Sequence, residues 1–127
     1  MEVTGGCKTP EFVYRISTAE EWDELQKNGS SFGGDLDKSS GFVHLSKIDQ
    51  VLGTLQNFFQ GRDDLYLLQL DTAKLGEGLV YEAVDDSNSF PHFYGPSRSF
   101  VPLSLEVVSK AEKLEVENGK FYCDLLN

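Results

Sequence analysis

Residues 41–61 read GFVHLSKIDQVLGTLQNFFQG, and the change of apolar period inside this stretch decides the kind of fold the chain adopts. From 41 to 46 the period is two, so Phe42, His44 and Ser46 share one face of a strand and Val43 and Leu45 the other. From 47 to 60 it becomes three and four: Ile48, Val51, Leu52, Leu55, Phe58 and Phe59 form one apolar stripe of a helix that Gly61 stops. Ser46 lies three residues before Asp49, the spacing of a capping box. An imidazole and a hydroxyl are thereby fixed at a strand-to-helix junction.

Upstream, 12–16 reads as a strand. Thr18 and Glu21 have capping-box spacing and open a helix with Trp22 and Leu25 turned inward, closed by Asn28-Gly29. The stretch 28–41, NGSSFGGDLDKSSG, reads as a surface loop anchored by Phe32, with glycines that suit it to act as a cover. Downstream, 65–70 is apolar enough for a central strand, and 79–84 forms another with Val80, Glu82 and Val84 on one face. The stretch FPHFYGP at 90–96 reads as a well-defined corner outside regular structure, since its prolines and glycine restrict the backbone. Further strands are expected at 98–101, 105–108 and 119–123, the last after a charged run at 110–118. Several strands with two main helices predict an α+β fold. One domain over 12–127 follows a flexible leader at 1–11.

The chain has 127 residues, with 11 Lys and Arg against 21 Asp and Glu, a formal charge of −10. No basic stripe is present to displace the counterions of nucleic acid or to meet an anionic membrane, so both are disfavoured as partners. A small-molecule ligand fits better, and a protein partner is left open. Cys7 and Cys123 form no disulfide framework, and no basic-then-apolar signal opens the chain. No apolar run reaches the roughly 18–20 residues needed to span a bilayer. These features predict a soluble, cytoplasmic protein without membrane association.

His44 either fills space with one ring N–H on a carbonyl, or bonds a ribose hydroxyl or phosphate and exchanges protons. Ser46 is a cap or a ligand contact, and no Gly-x-Ser-x-Gly elbow surrounds it. Glu82, between two valines, either faces solvent or lines a cleft, where it could stabilise positive charge at a sugar carbon or act as a base. His92 is a packed corner residue or a site residue on a positioned loop. His44, Glu82 and His92 together could also serve metal-assisted hydrolysis, although no HExxH helix or close Cys pair is present and no metal ligand is assigned. Neither Gly33-Gly34 nor the glycines at 76 and 78 fit a Rossmann unit or P-loop.

The ordered combination of VYRIS at 13–17, EW at 21–22, GFVHLS at 41–46 followed by Gln50, FFQG at 58–61, LYLLQLD at 65–71, YE at 81–82 and FPHFYGP at 90–96 resembles the family known as domain of unknown function 952. The resemblance runs from about residue 12 to 110. That family is grouped at the fold level with ADP-ribosyltransferases and RNA 2'-phosphotransferases, which use NAD. The resemblance implies a split, mostly antiparallel sheet around a cleft, with His44 contacting ribose or phosphate and Glu82 as a catalytic carboxylate. His92 and Tyr94 belong to the part of the pattern specific to the smaller family. Where members commonly carry His after the first strand's Tyr, this chain has Arg15, which binds anions but cannot act as a base near neutrality.

The resulting expectation is a transferase related to NAD or another nucleotide. Glu82, His44 and His92 are its catalytic candidates, and Arg15, His44, Ser46, Gln50 and Tyr94 its cofactor-binding ones. The alternatives are a noncatalytic binding module, with Trp22 and the aromatics of 90–94 as contacts, and the metal-assisted hydrolase.

Overall fold

In a computed structural model that describes residues 10–86 and 88–126, the chain is α+β with antiparallel sheets. In chain order the strands are β1 Phe12–Thr18, β2 Ser30–Ser31, β3 Val43–His44, β4 Leu65–Asp71, β5 Leu79–Ala83, β6 Ser89–Phe93, β7 Leu103–Ser104, β8 Val108–Lys113, β9 Glu115–Glu117 and β10 Lys120–Tyr122. The helices are α1 Ala19–Asn28, α2 Asp35–Ser40, α3 Val51–Phe58 and α4 Thr72–Leu75. Most of the leader, with Cys7, lies outside the described residues; Pro10 and Glu11 are tied down by Thr72, whose hydroxyl donates to Pro10 O at 2.8 Å.

The sheet β1-β4-β8 is the middle of the molecule. Val13 pairs with Leu70 and Arg15 with Leu68 on one face; Tyr14 pairs with Gln69 and Ile16 with Leu67 on the other. Both faces are covered. Val13, Leu68 and Leu70 join Leu25 of α1 and Val43 of β3 in one cluster, while Ile16, Leu65 and Leu67 join Val51 and Leu55 of α3 in the second. This two-sided burial explains why LYLLQL is nearly continuous in apolar residues instead of alternating. A second three-stranded sheet, β3-β6-β5, turns its inner face, with Val43, Leu79, Tyr81 and Phe93, to the first cluster.

The expectation of two main helices and an ADP-ribosyltransferase-like split sheet around a cleft is corrected. Four helices are present among the described residues, and the strands form four small sheets of two or three strands each. The additional helices are α2, inside the stretch 28–41 read as a surface loop, and α4, between the two strands expected at 65–70 and 79–84. In α2, Asp37 reaches back to the amide of Gly34 at 2.7 Å; in α4, Asp71 caps Ala73 at 2.9 Å. Both are the local acceptor-to-amide bonds that start helices.

FPHFYGP is also corrected: its first four residues, Phe90 to Phe93, belong to the central strand β6 of the second sheet. Pro91 has no N–H to donate, and it sits where β3 has ended at His44; its carbonyl still receives Leu45 N at 3.1 Å. At 98–101 there is no strand; Pro96–Arg98 form a 3₁₀ turn. The charged run at 110–118 is carried by β8 and β9, and Asn118 and Gly119, both left-handed, make the tight turn into β10. The helix after His44 begins as a 3₁₀ turn, Ile48–Gln50, and becomes α3 only at Val51. Its stripe is half used: Val51 and Leu55 are fully buried, while Phe58 is 78% exposed. Among the described residues no helix is long and apolar enough to cross a membrane.

Candidate functional site

The pleat of the second sheet decides which side chains meet. His44 pairs with His92, Val80 with His92, and Glu82 with Phe90, so these residues share the outer face, opposite the one that packs into the core. Phe42, two residues before His44, and Tyr94, two after His92, extend that face. The rings confirm the grouping: His44 and His92 have centroids 5.5 Å apart, edge to face. Phe42 stacks on His92 at 4.2 Å and lies 5.1 Å from Tyr94.

Each imidazole is backed by a carboxylate. His44 Nδ1 lies 2.8 Å from Asp37 Oδ1, and His92 Nδ1 lies 2.6 Å from Glu82 Oε1. Ionised carboxylates only accept, so both Nδ1 atoms carry the proton and donate. The Nε2 atom of each ring is then the one left for chemistry, and it makes no hydrogen bond among the described residues.

Asp37 is the better buried carboxylate, with its side chain 3% exposed. It accepts from Arg15 Nη1 at 3.1 Å and Nη2 at 2.7 Å, and from the amides of Gly34 at 2.7 Å and His44 at 2.8 Å. Burial pushes its carboxyl up, but the His44 ring, the Arg15 guanidinium and these bonds outweigh that and hold it well below the usual carboxylate range. Arg15, on the covered face of β1, also donates to Glu21 Oε1 and to the His44 carbonyl, each at 3.1 Å. Gly33 allows the close approach. Its φ is +85°, and a Cβ there would run into the Asp37 carboxylate.

Glu82 Oε1 also accepts from Tyr94 Oη at 2.6 Å, and Oε2 accepts from Arg98 Nη1 at 2.7 Å. The Tyr94 bond, followed by those of Arg98 and His92, lowers its carboxyl to about 2. Burial, together with the same bond to Glu82, raises the Tyr94 phenol. The Arg98 guanidinium lies 4.8 Å over the Tyr94 ring. It is presented from a strained turn, in which Ser97 and Arg98 have φ of 56° and 60°. Such left-handed geometry costs a non-glycine residue roughly 1–2 kcal/mol.

His44, Glu82, His92 and Tyr94 thus form one constellation, with Arg15 behind His44. Ser46 and Gln50 are placed differently. Ser46 exchanges backbone bonds with Tyr14 at 2.8 Å, bridging the sheets, and does not cap the helix. That return bond comes from Gln50, whose Oε1 accepts from Lys47 N at 2.9 Å while Nε2 donates to Ser89 O at 2.8 Å. Trp22 packs on the core beside Tyr66, 6.3 Å between centroids, apart from the histidines. Sequence reasoning missed Asp37 and Arg98. Asp37 had a readable signal, its position three residues after Gly34. Arg98 had none, because the turn that aims it is not a glycine turn.

Among the described residues no group of three His, Cys, Asp or Glu side chains is placed to hold a metal ion. The family model described as "Protein of unknown function (DUF952)" matches residues 16–111. The crystal structure of protein CC0527 from Caulobacter crescentus is similar at TM-score 0.77 and 30% identity, covering 87% of this chain and 93% of that one. The solution structure of the same protein is similar at TM-score 0.73 and 29% identity, covering 88% and 91%. No curated protein matches the chain.

Proposed function

The chain belongs to the DUF952 family, and from its own geometry we propose that it binds a small molecule carrying ribose or phosphate, of the class that includes NAD, and exchanges protons with it through His44 and His92. The observation that carries this reading is the adjacency of two carboxylate-backed imidazoles. Two imidazoles 5.5 Å apart, each with Nδ1 on a carboxylate, leave two Nε2 atoms to serve one ligand. In its neutral form such a nitrogen accepts a proton from a hydroxyl; in its charged form it donates one to a leaving oxygen. Positioned general acids and bases contribute about 10²–10⁴-fold each.

Glu82 has a supporting role in this reading. Its oxygens already receive three donors, and a carboxyl lowered to about 2 is a poor base. It holds the His92 tautomer and stabilises the charge that His92 acquires, without attacking the ligand. Asp37 does the same for His44. Arg15 bonds both Asp37 and the His44 carbonyl, so it positions the imidazole, and Tyr94 orients Glu82.

The test is a titration of the protein with NAD, ADP-ribose and ribose 5-phosphate while the imidazole signals of both histidines are followed by NMR. At least one of the three should shift both rings together. Unmoved rings at millimolar concentrations of all three would remove the nucleotide and sugar-phosphate class.

A further inference from the structure

Beside the histidine pair lies a groove of about 490 Å³, within the roughly 300–1,000 Å³ usual for small-molecule sites. Leu75, Val80, Phe93 and Val101 give it an apolar lining, and Tyr94 and Arg98 complete the wall. Those last two residues are also the ones that hold Glu82, so groove and histidine pair share a partition. Val80, the cross-strand partner of His92, lines the groove together with Phe93 of the inner face, so the groove lies at the sheet's edge and neither histidine lines it.

Arg98 has two side-chain partners, Glu82 and Tyr94, and is still largely open to solvent. Its side chain is 59% exposed; one guanidinium nitrogen is bonded to Glu82 and the group also interacts with Tyr94, while the five N–H donors of a guanidinium exceed what these two partners use. The strained backbone of Ser97 and Arg98 aims this fork at the groove's edge. Backbone strain of this kind persists where surrounding structure enforces it, and a fork of N–H donors suits a carboxylate or phosphate. Glu77 also lines the groove and disfavours a second negative charge on the occupant's apolar end.

We infer that the groove is the subsite for the flat apolar body of the ligand, whose phosphate or other anionic group takes the solvent-facing donors of Arg98. The occupant is therefore a phosphate ester with an aromatic or heteroaromatic group, and its charged end lies towards the histidines. This deepens the reading above and rests on it for which end of the ligand reacts.

The experiment is an NMR titration of the full chain with phenyl phosphate, inorganic phosphate and phenol, following the methyl groups of Leu75, Val80 and Val101 as well as the imidazoles. Phenyl phosphate should move the three methyls and bind about tenfold or more tighter than either fragment. Arg98→Gln should weaken phenyl phosphate by a similar factor and leave phenol unchanged; Arg98→Lys should restore only part of the loss, because it keeps the charge without the fork. Unmoved methyls at millimolar phenyl phosphate, or equal affinity in wild type and Arg98→Gln, overturn the inference. The imidazoles separate the claims. Methyl shifts with silent imidazoles under every probe retain an anion-binding groove and reject the acid–base reading, whereas shifted imidazoles with silent methyls do the reverse.

Discussion

Replacing Asp37 by Asn keeps the shape of the side chain and removes the charge against which Arg15 is buried. Arg15 then keeps only the less buried Glu21 as a counter-charge, so the expected loss in urea unfolding is at the low end of the range of about 3–5 kcal/mol found when a buried pair is broken from one side. The pH dependence has a definite sign. Asp37 and Glu82 both have carboxyls lowered by folding, so their stabilisation is fully present above the ordinary carboxylate range and is lost as pH falls through the folded values. For Glu82 that window runs from 4.5 down to about 2. Glu82→Gln should therefore flatten part of the acid limb of the stability profile, measured by unfolding at a series of pH values, and an unchanged limb would reject the assignment. His92 in that variant should also lose its fixed tautomer, since an amide both donates and accepts.

At the scale of elements, α2 and α3 show what a sequence discloses. Thr18 capping α1 was legible, and so was the strand at 65–70, because local spacing and apolar density fix both. The α3 stripe was legible in period but not in burial. Which of its apolar residues turns inward depends on the sheet beneath, and Leu55 is covered where Phe58 is not. Leu55→Ala should cost about 2–5 kcal/mol, while Phe58→Ser should stay within about 0.5 kcal/mol of wild type; comparable losses would mean that α3 is rotated. The helix α2 was hidden because serines, glycines and aspartates in 28–41 suit a loop equally well. Gly33→Ala tests its placement. A left-handed alanine costs roughly 1–2 kcal/mol, and displacing the Asp37 carboxylate adds to that, so thermal unfolding should fall and His44 should shift in NMR.

Across the whole molecule, the face shared by Phe42, His44, His92, Tyr94 and Glu82 exists because β6 joins β3 to β5. His44, Glu82, His92 and Tyr94 were named from the sequence as candidates; the strand pairing that brings them together was not. His44 and His92 are 48 positions apart in the sequence, and reading FPHFYGP as a corner concealed the register that makes them neighbours. The two-sided burial of β4 has its own consequence. Amides of 67–70 should exchange with solvent only through global unfolding, and those of the β9–β10 hairpin through local opening at lower free energy. Equal protection would contradict a core centred on β4. The central claim is the matched tautomer of the two imidazoles, and long-range ¹⁵N-imidazole NMR at a pH where both rings are neutral measures it directly. The account predicts that both carry hydrogen on Nδ1 and a lone pair on Nε2; an Nε2–H tautomer at either ring would contradict it.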